Sequence, residues 1–469
     1  MTLANRSLVT IDDLSNGEIE AVFALTDEMS GAMDKQISLC RGKIMASLFF
    51  EPSTRTRLSF EAAMHRLGGS VISAVDIGAT SLAKGESIAD MAKVVGSYAD
   101  IIVIRHPWEG AARVVADYAG VPVVNGGDGG HQHPTQTLCD LYTIEKERQT
   151  IKGLRIALWG DLKYGRTIHS LIFALAKFGA DILFCPSPGL EVPEHVLRKL
   201  TTEYGGELQR YESSDQAVKD SPFPLDAIYT TPSSPHQLAM IPDISIEVEL
   251  KTGVDALYVT RPQKERFVAA EKGHEPLKEY QVVDKKLLKG KVFEKTLVMH
   301  PLPRVDELAY EVDADPRSMY FKQAARGVPV RMALISLLLG ARKIPALGED
   351  DFFLHTIDYP LYQRDSGVKC PNSKCVSIQE TETKYLKPEF KVVDREPLTL
   401  RCVYCEHGFE PKYAASSDWH EGKLENKKYH RADSHWAKKI KPENLILFDS
   451  ESEAEANGFK PDRYAEVDR

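Results

Sequence analysis

The order of apolar segments predicts an α/β protein: two doubly wound parallel-sheet halves, then a small β-rich domain of zinc-ribbon type and a polar C-terminal tail. Short apolar runs of strand length alternate with helix-period stripes up to about residue 345. A polar stretch, Lys146–Lys152 (KERQTIK), separates two such series. Beyond Gly348 two close cysteine pairs bracket residues rich in β-branched and charged types.

Strands are expected at Ser70–Ile77, Ile101–Arg105, Arg155–Trp159, Ile182–Cys185, Asp226–Thr230, Ala256–Thr260 and Thr296–His300. Phe60, Met64 and Leu67 share one helical face, and Gly68-Gly69 should stop that helix. Ile168, Leu171, Ile172 and Leu175 form a second stripe that runs up to Gly179. A last apolar helix is expected over Val328–Leu339. The expected division is 1–148, joined by a returning helix within 326–345, then 149–325, 366–414 and a tail 415–469. No solenoid repeat or low-complexity segment is visible.

The chain has 469 residues, room for about three domains at roughly 150 residues each. It is 43% hydrophobic and 27% charged, with a mean hydropathy of −0.29, which suits globular cores. A net charge of −9 supplies no overall field towards nucleic acid or an anionic membrane, so an anionic substrate needs a local cluster of cations. No apolar run reaches the ~18–20 residues of a membrane span, and the opening MTLANRSLVTIDDL lacks the apolar core of a signal peptide. The expected compartment is the cytoplasm.

The first chemical motif is Phe49-Phe50-Glu51-Pro52-Ser53-Thr54-Arg55-Thr56-Arg57. Pro, Ser and Thr directly before a helical stripe place unpaired N–H groups, hydroxyls and arginines at a helix N-terminus, which favours a phosphate. An ordinary Ser/Thr cap with solvated arginines is the competing explanation, and the interleaved arginines weigh against it. FFEPSTRTRLSFE resembles the carbamoyl phosphate signature of the aspartate and ornithine carbamoyltransferases. The resemblance continues in family order through Ser81–Glu86 (SLAKGE), Arg105-His106-Pro107, His133–Asp140 (HPTQTLCD), Gly160–Thr167 (GDLKYGRT), Thr260–Arg266 (TRPQKER) and His300–Arg304 (HPLPR).

Aspartate carries two carboxylates, which call for fixed guanidinium groups. Arg166 opens the helix after strand 155–159 and can present a fork to one of them; Arg261 and Gln263 follow a strand and can hold the other. The ornithine enzymes have a Cys where Pro301 stands and lack the Arg261-x-Gln263 motif, so the resemblance favours the aspartate branch over ornithine or another acceptor. It implies transfer of the carbamoyl group of carbamoyl phosphate to L-aspartate, the committed step of pyrimidine biosynthesis, with no catalytic cofactor. By the same resemblance Ser53, Thr54, Arg55 and Thr56 wrap the phosphate, while Thr56, Arg105 and His133 polarise the carbonyl oxygen. Gln136 takes the carbamoyl amide, and Arg166, Arg261 and Gln263 hold aspartate. The carbonyls of Leu302 and Pro303 orient the amino groups. Ser81 and Lys84 come from a neighbouring subunit of a homotrimer or a higher homo-oligomer with shared active sites. Gly160–Gly165 lies between strand and helix but lacks the G-x-G-x-x-G spacing of a dinucleotide loop. A non-catalytic scaffold is the remaining alternative, against which the full set of arginines counts.

Four residues separate Cys370 from Cys375 and two separate Cys402 from Cys405. Two knuckles at this spacing suit a structural, tetrahedral four-thiolate Zn²⁺ site, with redox or disulfide use as the alternative. VKCPNSKC…LRCVYCEHGF also resembles the zinc domain of the regulatory chain that accompanies aspartate carbamoyltransferases. That chain has a nucleotide-binding domain ahead of its zinc domain, and the stretch between residue 345 and Cys370 is too short for one. Glu380, Glu382, Glu389, Asp394 and Glu396 count against a nucleic-acid-binding ribbon. The tail resembles a small Cys-rich metal module with Ser434 and Asp462 in place of Cys, and residues 231–253 read as an insertion before the strand leading to Arg261.

Overall fold

The computed structural model describes the chain except residues 1–2, 36, 77, 79, 164, 188, 205–208, 211–225, 232–253, 262–281, 291–292, 345–357, 364–367, 381–385, 418–426 and 463–469. The insertion after Thr231 and Gln263 therefore lie outside the described residues.

The first half opens with helix α1 (Asn16–Ser30), started by a capping box in which Ser15 and Glu18 each bond the other's backbone N–H. A four-stranded parallel sheet follows: β1 (Ile44–Phe49), β2 (Ser70–Val75), β3 (Ile101–His106) and β4 (Val123–Asp128), in the order β2-β1-β3-β4. Helices α2 (Thr54–Arg66), α3 (Ile88–Gly96), α4 (Ala111–Tyr118) and α5 (Pro134–Arg148) intervene. β1 and β4 are buried strands that no periodicity marked in the sequence. Both bury successive residues, so neither alternates, and small or polar residues interrupt the apolar run that would otherwise mark them.

Side chains of β1 and β3 alternate between two cores, as the pleat requires. Met45, Phe49, Ile101 and Val103 face one cluster with α1, α2 and α5; Ala46, Leu48, Ile102 and Ile104 face another with α3 and α4. The second half builds a six-stranded parallel sheet from β5 (Arg155–Gly160), β6 (Asp181–Pro186), β7 (Gln209–Arg210), β8 (Ala227–Thr231), β9 (Ala256–Val259) and β10 (Leu297–Met299), in the order β10-β9-β8-β5-β6-β7. Helices α6 (Arg166–Lys177) and α7 (Glu194–Tyr204) flank it. The returning helix α8 (Tyr320–Leu338) starts earlier than its apolar stripe suggests, carries Pro329 internally and packs on α1, α2 and α5.

A third, antiparallel sheet β11-β12-β13-β14 comprises Leu361–Tyr362, Phe390–Arg395, Leu398–Cys402 and Gly408–Phe409. Cys402 ends β13, and Cys370, Cys375 and Cys405 lie on the connections between the sheet's strands. Its Val368, Leu400 and Tyr404 share the cluster of α3 and α4, so this unit packs as a cover on the first sheet. Contact is close enough that a Cβ on Gly110 (φ 87°) would lie 2.6 Å from the Tyr404 backbone.

Among its described residues the expected polar tail is a folded unit. β15 (Tyr413–Ser416), β16 (Lys428–Arg431), β17 (Leu445–Phe448) and β18 (Lys460–Pro461) form a sheet in the order β17-β15-β16-β18 over Tyr429, Phe448, Ala454 and Phe459. Ser434 caps the short helix His435–Lys439, and Asp462 pairs with His430 at 3.0 Å. Where cysteines were expected, the residues present serve as a cap and an ion-pair partner. Few large apolar residues suffice for a unit of this size, which is why composition alone reads as a tail.

Candidate active site

A cleft of about 740 Å³ opens between the two parallel sheets at the carboxyl ends of their strands. Open α/β sheets bind ligands there because helices begin at that edge. Here α2 starts after β1, α5 after β4 and α6 after β5, and in none of the three does the N-cap residue's side chain bond the first turn. Their N–H groups and positive dipole ends are thus left for an anion.

Ser53, Thr54, Arg55, Thr56, Arg105, His133, Gln136, Arg261, Leu302 and Pro303 all line this cleft. Ser53 Oγ donates to Thr56 Oγ1 at 3.0 Å, and Arg55 donates to the Leu302 carbonyl, which joins the two halves across the opening. Leu302 is held at φ 54°, a left-handed geometry costly for a residue with a Cβ. Arg166 is the first residue of α6, and its side chain lies outside the described residues. Ser81 and Lys84 sit on an exposed 3-10 turn, Ser81–Lys84, outside the cleft lining.

Arg105 is 6% exposed, ion-paired with Glu51 at 3.0 Å and bonded to the Gly126 carbonyl at 3.0 Å. Gly127 lies behind it at φ 116°, where a Cβ would come within 2.7 Å of Arg105 Nη1 and 3.4 Å of His133 Cδ2. Only glycine lets both side chains reach the cleft. The His133 N–H donates to Ser170 Oγ at 3.0 Å, and Ser170 donates to Gln132 at 2.6 Å, so α6 of the second half braces the start of α5.

Six residues with no expected role complete the site. Glu51 fixes Arg105. Asp140, fully buried, accepts from Gln136 (2.7 Å), Gln323 (2.8 Å) and Tyr258 (2.9 Å). Gln323 Oε1 in turn accepts from the His300 N–H at 3.0 Å, which links α5, α8 and the loop His300–Pro303. His300 Nδ1 accepts from the Leu302 N–H at 2.7 Å, so its Nε2 carries the proton that goes to Glu307 at 2.8 Å. Burial holds this histidine below its ordinary pKa, consistent with a neutral ring. The signal for Glu51 and Asp140 was available: both lie inside the quoted motifs, each an acid within reach of the residues assigned to chemistry.

Burial pushes the Asp140 carboxyl up to about 7, against the bonds from Gln323, Gln136 and Tyr258. A raised folded pKa means that protonation favours the folded state. That contribution is complete below about pH 4 and is lost as pH rises through about 7. Replacing Asp140 by Asn should therefore flatten the fall in thermal midpoint between pH 4 and 7 by several degrees relative to the parent. Parallel pH profiles for the two chains would sink the assignment.

The four cysteine sulfurs lie within 4.8 Å of one another and are buried. Cys370 and Cys405 are 3.6 Å apart, and Cys375 and Cys402 are 3.8 Å apart. Disulfide sulfurs would be about 2.05 Å apart. A tetrahedron of thiolates at about 2.3 Å from a central ion has edges of about 3.8 Å. The four residues thus form a closed, metal-sized cage.

Residues 6–146 match the carbamoyl-P binding domain of aspartate/ornithine carbamoyltransferase, and residues 243–338 match its Asp/Orn binding domain. Residues 365–414 match the metal binding domain of the aspartate carbamoyltransferase regulatory chain. The aspartate carbamoyltransferase catalytic subunit of Thermoplasma acidophilum is 45% identical over 340 residues, covering 72% of this chain and 99% of that protein. That of Thermococcus kodakarensis is 46% identical over 342 residues, covering 72% and 99%. The solved catalytic subunit of M. jannaschii aspartate transcarbamoylase is 41% identical with a TM-score of 0.57, covering 71% of this chain and 98% of the other. The Trypanosoma cruzi aspartate transcarbamoylase, solved with carbamoyl phosphate and aspartate, is 35% identical with a TM-score of 0.58, covering 72% and 98%. The chain belongs to the aspartate/ornithine carbamoyltransferase family. Within that family it is a carbamoyl-transferring enzyme of the aspartate branch, joined to a metal binding domain of the regulatory-chain type.

Proposed function

We propose that the cleft carries out this transfer with the following division of labour. Ser53, Thr54, Arg55 and Thr56 at the α2 N-terminus hold the phosphate of carbamoyl phosphate. Thr56, Arg105 and His133 stabilise the oxyanion that forms when the aspartate amine attacks the carbonyl carbon. Gln136, oriented by Asp140, takes the carbamoyl amide. Arg166, Arg261 and Gln263 bind the aspartate carboxylates, and the carbonyls of Leu302 and Pro303 orient the amino groups. The intermediate collapses as the carbon–oxygen bond to phosphate breaks, so the protein supplies position and charge, with no catalytic cofactor. The observation that carries this reading is the convergence of three uncapped helix N-termini with Arg55, Arg105, His133 and Arg261 on one cleft.

The working unit is at least a homotrimer, in which Ser81 and Lys84 complete a neighbour's site. In support, both lie exposed and outside the cleft, and Ile72 and Val75 expose apolar surface on the edge strand β2. The ion in the cysteine cage is structural Zn²⁺: four thiolates favour it, and a closed cage leaves no position for catalysis. Among the described residues no helix is long and apolar enough to cross a membrane, and the enzyme works in the cytoplasm.

A colorimetric assay for carbamoyl aspartate, with ornithine as alternative acceptor, tests the activity. Mixing an Arg55→Ala chain with a Lys84→Ala chain tests the shared site: mixed trimers should regain a fraction of parental activity, since some sites carry neither lesion. No recovery on mixing would remove the shared site.

A further inference from the structure

Glu406 follows Cys405 directly, and the chemistry assigned to the cleft makes no use of it. Its backbone is left-handed, φ 57°, a geometry that glycine or asparagine fills with less strain. The knuckle around it is closed by Glu406 N–H to the Cys402 carbonyl and Cys402 N–H to the His407 carbonyl, both 3.0 Å. A glutamate kept at such a position calls for a reason in its side chain.

Its two oxygens reach different parts of the catalytic portion. Oε1 accepts from Lys199 Nζ on α7 at 2.9 Å. Oε2 lies 3.2 Å from His131 Nε2, and the other ring nitrogen of His131 lies 2.9 Å from Asp128 Oδ2. Asp128 is fully buried and also accepts from Gly110 N (2.8 Å), Asn125 Nδ2 (2.9 Å) and Gln132 N (3.0 Å). His131 thus ties the cysteine module to the hub of the turn that ends at His133.

The other knuckle braces the same turn. The Glu109 N–H donates to the Lys374 carbonyl at 2.9 Å, and the Val376 N–H donates to the Glu109 carbonyl at 2.8 Å. The Glu109 carboxylate accepts from Asn372 Nδ2 at 2.6 Å and from Gly130 N at 3.0 Å. Gly129-Gly130 gives the turn no side chains to pack, so these hydrogen bonds set its shape.

We infer that Glu406 is a positioning residue for carbamoyl transfer: through His131 it holds the turn that delivers His133 and Gln136 to the cleft. The inference rests on the roles proposed above for His133 and Gln136. It predicts that Glu406→Gln and His131→Asn each lower kcat about tenfold, with little change in KM for aspartate, because displacing a catalytic group by a fraction of an ångström weakens only contacts made in the transition state. The double variant should lose no more than either single one, since both break one link. Lys199→Met removes the other partner of the same carboxylate and should keep kcat within twofold. Amide hydrogen exchange over 129–136, read on the metal-loaded full chain, should rise in Glu406→Gln and not in Lys199→Met. The proposal is overturned if Glu406→Gln keeps parental kcat and parental exchange while folded, or if Lys199→Met matches its losses, which would mark a general loss of stability. A parent chain whose activity survives His133→Ala would instead refute the role of His133, whatever the exchange experiment shows.

Discussion

Replacing Arg105 with alanine should lower kcat by about 10²- to 10³-fold while KM for both substrates stays within a few-fold, and His133→Ala should lose a similar amount. Both side chains sit almost fully buried at the back of the cleft. Glu51 and the Gly126 carbonyl hold the Arg105 guanidinium, and Ser170 fixes the His133 backbone, before any substrate arrives. A preorganised donor of this kind gains most when charge develops on the carbonyl oxygen, so its loss falls on the transition state. The variants must be compared as folded chains, because Arg105→Ala leaves Glu51 without its ion pair. Steady-state kinetics decide the matter. A rise in KM with kcat unchanged would mean that Arg105 only binds the ground state, and a kcat within tenfold of the parent would remove it from the chemistry.

Removing the metal should produce the largest change in stability. The cysteine cage is the organising point of an antiparallel sheet whose Val368, Leu400 and Tyr404 share one apolar cluster with α3 and α4. Structural four-thiolate sites contribute on the order of 10 kcal/mol to the folding of small domains. Once the cage opens, that cluster loses its cover, and the carboxylates of Glu109 and Glu406 lose their fixed partners. The double variant Cys402→Ser/Cys405→Ser, or stripping with a strong chelator, should make residues 358–462 sensitive to protease. It should lower the main thermal midpoint by roughly 10 °C, since a loss of a few kcal/mol moves a domain of this size by about 2–4 °C per kcal/mol. Metal content by atomic absorption and limited proteolysis check both. A chelated, metal-free chain with parental protection and midpoint would show that the sulfurs hold the module together by packing alone.

Much of the site was legible because its chemistry is local in sequence. A Ser, two Thr and Arg55 lie within one turn of a helix start, and a helix N-terminus needs no distant partner to attract a phosphate. The two cysteine knuckles announced themselves by spacing alone. The strands that align with apolar runs between residues 155 and 300 were found because their flanks are polar and glycine-containing. β1 (IMASLF) and β4 (VVNGGD) escaped because Ala, Ser, Asn, Gly and Asp interrupt the continuous apolar run that marks the equally buried β3 and β5. The folded unit over 413–462 escaped because its core is a handful of aromatic and alanine side chains in a polar stretch.

What the sequence determined by itself was the kind of chemistry: which cations, hydroxyls and thiols the chain possesses, and that they begin helices or close knuckles. Apart from the i,i+4 contact of Gln136 with Asp140 on one helix, tertiary structure decided which acids hold them. Glu51 meets Arg105, Asp140 gathers Gln136, Gln323 and Tyr258, and Glu406 reaches His131 from 275 positions away. Such pairings follow from how the two sheets and the cysteine module pack. A buried carboxylate is stable only beside its partners, and no local spacing records which distant residue that partner will be.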